Sequence, residues 1–281
     1  MTQEMVNNFI HFEAKKIKIL CRDRVNFYKS IFDKTHLDLY GKSDSSFLRG
    51  LKKTAEDVGI TVRFSPYFNI TDQVLKEFIM NSSYVIDTPP YVKEFLRNHG
   101  MAVSNEPVIN EMNYAVFDLE TINVDMACNI FIKYYGDKIY DADGLFSNKL
   151  YHAGNIKDYQ IPAVAEAVKK VLTQCPNIGD TILIIGRGRS MMGVFDSIYE
   201  LPNTFIVMNS YTYNSQIEPL IDQAHFIVNA SPMDLPFVYV PLVDLKTNNC
   251  KIGDLTNAII VRRIVDSAVS KHIDQILVDN P

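Results

Sequence analysis

The chain has 281 residues, of which 47% are hydrophobic and 22% charged, and its formal net charge is −5. This length and composition allow two domains of ordinary size with a sizeable core. The negative net charge and the scattered lysines and arginines argue against a nucleic-acid partner, which usually leaves a basic patch. No stretch approaches the roughly 18 apolar residues of a membrane helix, and the opening residues lack a signal-peptide core. We therefore expect a cytoplasmic protein with no membrane partner.

Alternating strands and helices are predicted in the N-terminal half. The opening is weakly patterned, with helical character only over residues 16–29. A short strand at 37–40 precedes a helix at 45–58, whose apolar residues have helical spacing and which Gly59 would end as a C-cap. The next predicted elements are a strand at 60–64, a helix at 71–80 and a strand at 84–86. This alternation predicts a parallel sheet with crossover helices.

The middle of the chain is harder to interpret. A helix is expected near 92–98, while 114–119 and 126–135 have the composition of strands or buried elements whose order the sequence does not give. Pro162 opens the next predicted helix, at 163–172, in a favoured first-turn position.

The C-terminal half has the pattern of a second parallel sheet. Residues 181–185 are apolar almost throughout, as in strands that are buried on both faces. The further predicted elements are strands at 204–208, 225–229 and 237–240 and a closing helix at 255–273. The pattern predicts a βαβ array that binds a nucleotide.

A glycine-rich segment follows the strand at 181–185 directly. Its expected phosphate-binding residues are Gly186, Arg187, Gly188, Arg189, Ser190 and Gly193. Glycines there permit a sharp turn and let backbone amides approach a diphosphate. The segment is not a full GxGxxG motif, so a glycine-rich turn without a ligand is the alternative.

The end of the strand at 204–208 indicates which coenzyme to expect. An NAD site usually has an acidic residue there to hold the ribose hydroxyl. Here the strand leads into Asn209, Ser210 and Tyr211, with no acid. Arg187 and Arg189 could pair with a 2′-phosphate, for which guanidinium groups are well suited. The sequence therefore favours NADP over NAD.

Six short segments carry a resemblance to a known family. In chain order they are DADGL at 141–145, IP at 161–162, IIGRGRS at 184–190, MNSYT at 208–212, GDLT at 253–256 and VDSA at 265–268. They resemble the DVDG, PCTP, VVGRS, CHSxT, GPMT and (T)VESA segments of the methylenetetrahydrofolate dehydrogenase/methenyltetrahydrofolate cyclohydrolase family. The likeness covers residues 36–90 and 139–275, and the order and spacing of the motifs carry it.

The resemblance implies a two-domain α/β fold. An N-terminal α/β substrate domain would comprise residues 1–157 plus 257–281, with the final helix packing back on it. A C-terminal Rossmann-like NAD(P)-binding domain would comprise 158–256. Family members oxidise methylene-tetrahydrofolate by hydride transfer to a nicotinamide coenzyme, and many then hydrolyse the methenyl product. They bind folate between the domains and usually form homodimers through the nucleotide-binding domain.

The resemblance also implies site residues, and several depart from the family. The family's Tyr-x-x-x-Lys falls on Phe47 and Leu51, and its strand-end glutamine falls on Asp87. Its pterin-binding aspartate is matched by Asp143. Neighbouring Lys52 points about 100° away from Leu51 on a helix and cannot simply substitute for the lysine. Gly253 belongs to the expected substrate site, and Ser210 and Thr256 to the expected coenzyme site.

Each of these assignments has an ordinary structural alternative. Asp143 could be a turn aspartate, because Asp-Gly is a common turn dipeptide. Asp87 could be a solvated loop acid or a helix cap, and its use with Asp143 as an acid/base pair requires proximity that the sequence does not show. Phe47 and Leu51 could simply be core residues on an apolar helical stripe. The six histidines lack metal-ligand spacing, so no metal is expected.

The first hypothesis is an NADP-dependent, methylenetetrahydrofolate dehydrogenase-like oxidoreductase that lacks cyclohydrolase activity. Leucine cannot handle a proton, so Leu51 removes the group that hydrolysis would need. The alternatives are a catalytically inactive paralogue that binds a nucleotide or pterin, and a dehydrogenase of a different small substrate.

Overall fold

A computed structural model describes residues 3–40, 45–65, 112–117, 142–144, 160–176, 178–185, 194–208, 218–229, 239–241 and 252–279. Within these ranges the chain is an α/β protein with two parallel sheets. Its helices are α1 (Gln3–Phe27), α2 (Lys29–Phe32), α3 (Ser46–Val58), α4 (Ala163–Gln174), α5 (Val194–Ile198), α6 (Glu218–Ile221) and α7 (Ile252–Asp279). Its strands are β1 (Thr35–Tyr40), β2 (Thr61–Ser65), β3 (Met112–Phe117), β4 (Thr181–Ile185), β5 (Thr204–Met208), β6 (Phe226–Asn229) and β7 (Tyr239–Pro241).

The chain divides into two compact units. One consists of Met1–Leu20 with Asp143–Arg262, and the other of Cys21–Ala142 with Arg263–Pro281. The expected domains of 1–157 plus 257–281 and of 158–256 divide the chain at other positions. Their assignment to substrate and coenzyme stays a prediction.

The first sheet has the order β2-β1-β3, and all of its strands are parallel. Because side chains alternate along a strand, Leu37 and Leu39 share a face with their register neighbours Tyr114 and Val116, and all four are buried. The Tyr114 hydroxyl donates a 3.0 Å hydrogen bond to Ser267 Oγ on α7. The C-terminal half of α7 therefore packs on this face of the sheet.

The opposite face of the first sheet contains a partly buried ion pair. Asp38 on β1 and Arg63 on β2 are direct register partners. Arg63 donates from Nε and Nη2 to the two carboxylate oxygens of Asp38, at 2.6 and 2.9 Å. Such a bidentate pair compensates the desolvation of a buried carboxylate.

Helix α3 confirms the prediction made for residues 45–58. The Ser45 hydroxyl accepts a 3.3 Å hydrogen bond from the amide of Leu48, which satisfies one free donor of the first turn. Gly59 ends the helix at φ 97°, in the left-handed region that favours glycine at this position. The buried residues of the helix are Leu48, Leu51, Thr54, Ala55 and Val58.

The second sheet has the order β5-β4-β6-β7, again with parallel strands. The prediction of a strand at 181–185 buried on both faces is confirmed, since Ile182 to Ile185 are fully buried. Strands predicted at 225–229 and 237–240 are present as Phe226–Asn229 and Tyr239–Pro241. The chain leaves β4 for β5 on one side and later returns to β6 on the other, so the direction of winding reverses at β4.

Helices α1, α4 and α7 differ from their sequence predictions, and α7 extends beyond the predicted 255–273 at both ends. Helix α1 has 25 residues and begins at Gln3, whereas the sequence indicated helix only over 16–29. Pro162 is the N-cap of α4 rather than its first helical residue, with φ −51° and ψ 139°. Lys170 of α4 forms a 3.0 Å ion pair with the buried Glu13 of α1, and this contact fixes the two helices against each other.

The elements predicted over 71–110 and 126–135 lie outside the described residues. None of the helices in the described part of the chain combines the length and the apolar composition needed to cross a membrane.

Candidate functional site

The carboxyl edge of the second sheet is the first part of the candidate site. The ends of β4, β5 and β6 are level, because Ile185 is in register with Met208 on one side and Asn229 on the other. The order reversal at β4 makes this edge a topological switch point. Parallel α/β sheets bind their ligands in the crevice outside such a point.

The predicted phosphate loop leaves the sheet at this edge. Its residues Gly186, Arg187, Gly188, Arg189, Ser190 and Gly193 lie outside the described residues, as does Ser210. The structure defines the two ends of the loop: Ile185 at the end of β4 and Val194 at the start of α5, both fully buried. Residues 186–193 therefore join two buried element ends, as the predicted βαβ unit requires, and their conformation and contacts stay a prediction.

Asn229 is a polar residue of this edge that the sequence interpretation missed. It ends β6 between Ile185 of β4 and Pro241 of β7, and only 1% of its surface is exposed. A carboxamide both donates and accepts hydrogen bonds, so it can orient a neutral polar group at the switch point. The sequence signal that could have identified Asn229 is its position as the one polar residue at the end of the otherwise apolar strand Phe226–Asn229.

Asp143 and Gly144 lie at a backbone bend that contacts the start of α4. The carbonyl of Asp143 accepts a 2.7 Å hydrogen bond from the amide of Ala163, the first residue of that helix. Gly144 has φ 82°, and a Cβ there would lie 2.8 Å from the carbonyl oxygens of both Gln160 and Ile161. This bend therefore requires glycine. The Asp143 side chain is buried rather than solvated, and its role as a pterin ligand stays a prediction.

The positions matched to the family's tyrosine and lysine lie on α3. Phe47 is half-buried, and Leu51 has no exposed surface. Lys52 is exposed, and its Nζ lies 3.8 Å from Glu56 Oε1. The prediction that the Lys52 side chain points away from that of Leu51 is confirmed. Core packing accounts for Leu51, and its predicted contact with substrate stays untested.

The first turns of α7 contain the remaining described candidates. Thr256 is buried, and its hydroxyl donates to the Ile252 carbonyl of the same helix at 3.0 Å. Gly253 is half-buried, and a Cβ there would meet no atom of the described residues within 4 Å. The room beside Gly253 is compatible with its predicted role in substrate binding.

Asn257 is a further polar residue of α7 that sequence reasoning missed. It is 3% exposed, and its Oδ1 has no hydrogen-bond partner among the described residues. Residues four apart share a helix face, and side chains lean towards the helix N-terminus. The Asn257 carboxamide therefore leans towards the turn that contains Gly253. A buried acceptor beside open space can take a hydrogen bond from a ligand N–H or O–H group.

Two arginines connect α7 with neighbouring segments. Arg262 Nη2 donates to Glu166 Oε1 of α4 at 2.7 Å. The buried Arg263 donates from Nη1 to the carbonyl of Ala142 at 3.2 Å, in the residue just before Asp143. The motifs do not predict these contacts, although two adjacent arginines inside an apolar helix are a visible signal.

Among the described residues, the other titratable groups add no catalytic candidate. Burial raises the pKa of the Cys175 thiol and thus disfavours the reactive thiolate, while partial burial lowers the pKa of Lys271. Within the described ranges, no three His, Cys, Asp or Glu residues cluster so that they could hold a metal ion. Asp87 lies outside the described residues, and the expected absence of a metal stays a prediction.

The described elements define the class of the protein. It is an α/β protein with two parallel sheets, and its second sheet is doubly wound around β4. No family profile matches the sequence, and no curated protein matches it in sequence.

The fold is similar to that of several solved FolD enzymes. The bifunctional methylenetetrahydrofolate dehydrogenase/cyclohydrolase FolD of Campylobacter jejuni is similar with a TM-score of 0.60 at 16% identity, over 92% of this chain and 96% of that one. The Trypanosoma brucei FolD, in complex with NADP and an inhibitor, has a TM-score of 0.62 at 13% identity, over 92% and 95%. The NAD-dependent methylenetetrahydrofolate dehydrogenase of Saccharomyces cerevisiae has a TM-score of 0.54 at 12% identity, over 95% and 97%. The predicted resemblance to this family is confirmed as a likeness of fold.

Proposed function

We propose that this chain is a methylenetetrahydrofolate dehydrogenase-like oxidoreductase that lacks cyclohydrolase activity. The observation that carries the proposal is the fold, which is shared with FolD enzymes over more than nine-tenths of the chain. In this proposal residues 158–256 hold the coenzyme, and residues 1–157 with 257–281 hold a folate-type substrate. The cytoplasmic location and a homodimer through the coenzyme domain stay predictions.

The coenzyme of the proposal is a nicotinamide dinucleotide. One similar structure was solved with NADP and another is described as NAD-dependent, so the fold likeness supports the class and leaves the choice open. The preference for NADP rests on Arg187 and Arg189 in the predicted phosphate loop and on the lack of an acid after β5. The switch-point edge at Ile185, with the buried Asn229 beside it, fits a ligand of this kind.

The dehydrogenase step makes modest demands on the protein. When bound, the nicotinamide ring would supply the chemistry by accepting a hydride from the methylene carbon. This transfer leaves a methenyl cation on the folate and no proton to be moved, so the chain's residues need only bind and orient. Asp143 would hold the pterin ring, and the edge of β4 would hold the diphosphate.

The hydrolytic step makes demands that this chain does not meet at the expected position. Opening the methenyl bridge requires a water molecule and a group that takes its proton. Leu51 occupies the place of the family lysine and is fully buried. Lys52 cannot take over the role in this arrangement, because it is exposed and lies beside Glu56. The methenyl product should therefore accumulate.

A turnover assay tests the proposal. Purified protein is mixed with methylene-tetrahydrofolate and either NADP or NAD, and absorbance follows the reduced coenzyme and the methenyl product together. We expect equal amounts of both, with methenyl decaying only at its spontaneous rate. If neither NADP nor NAD supports turnover, the dehydrogenase assignment is contradicted. Decay of methenyl that scales with protein concentration would contradict the loss of cyclohydrolase.

An inactive nucleotide- or pterin-binding paralogue is the second candidate. It is favoured by the packing of Leu51 into the core and by the Thr256 hydroxyl bonding within its own helix. It predicts that coenzyme raises the melting temperature although no folate is turned over. Reduction of coenzyme with another small substrate, but not with the folate, would instead indicate the third alternative, a dehydrogenase of that substrate.

A further inference from the structure

Helix α1 has two apolar faces, and the chain itself covers one of them. Val6, Ile10, Ile17, Cys21 and Val25 recur at helical spacing and are buried. They form the face by which α1 packs on the rest of the protein.

The other apolar face of α1 is exposed. It contains the large side chains of Phe12, Ile19, Leu20 and Phe27, with Phe12 61% and Phe27 80% exposed. With about 100° of rotation per residue, its centre lies about 140° from the buried face. We call Phe12, Lys16, Ile19, Leu20, Asp23 and Phe27 the outer stripe. Large exposed apolar side chains that share one helix face with charged residues form a candidate interaction surface.

The charges of the outer stripe are separate from those that α1 uses within its own chain. Glu13 pairs with Lys170, Arg22 Nε donates to the Asp57 carbonyl at 3.0 Å, and Arg24 pairs with Asp266. Lys16 and Asp23 are exposed and form no ion pair among the described residues. Within the outer stripe, they are the charges that a partner helix would meet.

We propose that a second copy of this chain packs its α1 antiparallel on the outer stripe. A two-fold axis between Ile19 and Leu20 places Lys16 opposite the partner's Asp23. It places Phe12 opposite the partner's Phe27, and Ile19 opposite the partner's Leu20. Every member of the stripe then meets a complementary member of the same stripe, as a two-fold interface requires.

Charge decides between the antiparallel and the parallel arrangement. A parallel pair of α1 helices would place Lys16 opposite the partner's Lys16, and Asp23 opposite the partner's Asp23, so like charges would face each other. The antiparallel pair replaces these repulsions with two ion pairs. Since one helix face buries less area than a standard interface, we expect a concentration-dependent dimer with a Kd of about micromolar order. This surface differs from the coenzyme-domain dimer expected from the resemblance. If that dimer also forms, the outer stripe would pair two such dimers into a tetramer.

Sedimentation equilibrium of the full chain tests the proposal through a charge exchange. Lys16→Asp and Asp23→Lys each convert two attractive contacts to repulsive ones, so each should raise the dimer Kd about tenfold. The double variant K16D/D23K restores opposite charges and should return to the wild-type Kd. Lys53→Asp, at an exposed position of α3, is the matched control and should leave the Kd unchanged.

Each outcome decides the proposal. An association that follows this pattern supports it, either as a dimer of twice the 32.0 kDa chain mass or as a tetramer built from coenzyme-domain dimers. A chain that stays monomeric well above micromolar concentration overturns it and leaves a different partner for the stripe. A dimer that is insensitive to all three variants also overturns it, because the contact would then lie elsewhere or be parallel. All positions changed are exposed, and unchanged melting temperatures verify that the variants fold.

Discussion

Two pairs of candidate-site positions differ in how the described residues surround them. We call Leu51 and Gly144 the closed positions, because core packing surrounds the first and two backbone carbonyls crowd the second. We call Gly253 and Asn257 the open positions. Gly253 has no described atom near its missing Cβ, and the buried Oδ1 of Asn257 has no partner among the described residues.

The difference shows which residues the fold alone explains. At the closed positions the sequence is determined by packing and backbone conformation, so no ligand is needed to account for it. At the open positions the protein contains a buried hydrogen-bond acceptor without a described partner and a glycine within a helix. Both features reduce the stability of the fold. A ligand at the start of α7 would account for both features.

The largest effect is expected for Leu51→Lys. An ammonium group in an apolar core, with no described counter-ion, should lower the free energy of unfolding by about 3–5 kcal/mol. Leu51→Met keeps the volume and should cost less than about 1.5 kcal/mol. Urea denaturation measures both variants. If Leu51→Lys is as stable as wild type and gains cyclohydrolase activity, the position belongs to the ligand site.

Gly144→Ala should lower the free energy of unfolding by about 3 kcal/mol, because the new Cβ would contact two carbonyl oxygens at a positive φ. The measurement is again urea denaturation, with circular dichroism as the probe. A loss below about 1 kcal/mol would show that the bend adjusts easily and that Gly144 is not a closed position.

Asn257→Leu should raise the free energy of unfolding by about 1 kcal/mol, since it removes the unsatisfied buried oxygen. If a ligand uses that oxygen, the same change should raise the Kd for coenzyme or tetrahydrofolate about tenfold. Calorimetric titration with each ligand identifies which one is affected.

Asn257→Ala separates the two effects. It removes the same oxygen but leaves a cavity, so it should lose stability while weakening binding by the same factor. Unchanged binding of both ligands in both variants would exclude Asn257 from the site.

The smallest effect is expected for Gly253→Ala. Alanine is the better helix former and nothing described obstructs it, so stability should rise by about 0.5 kcal/mol. Ligand binding should weaken, because the methyl group occupies the open space. Stability and binding that both stay at wild-type values would indicate that the space serves no ligand.

Much of the fold could be predicted from local signals. Helix α3 has a single apolar stripe between Ser45 and Gly59, and β4 is a five-residue apolar run. Helix α1 was underestimated because its two apolar faces blur the helical period. The place of β3 beside β1 could not be predicted, because that pairing joins segments far apart in the chain and has no local signal.

The candidate site was only partly predictable for the same reason. The motifs identified Asp143 and Thr256, since short segments carry them. Asn229 and Asn257 are candidates because their side chains are buried. The local sequence shows only a polar residue in an apolar run and does not show whether that residue is buried. Similarly, the pairing of Asp38 with Arg63 depends on a strand register that the sequence leaves open.

Coenzyme binding at the end of β4 is the central claim, and calorimetric titration of the full chain tests it most directly. We expect both NADP and NAD to bind, NADP more tightly, and the joint change Arg187→Ala with Arg189→Ala to remove that preference. Absence of binding heat for both coenzymes, over a range of temperatures, would contradict the account.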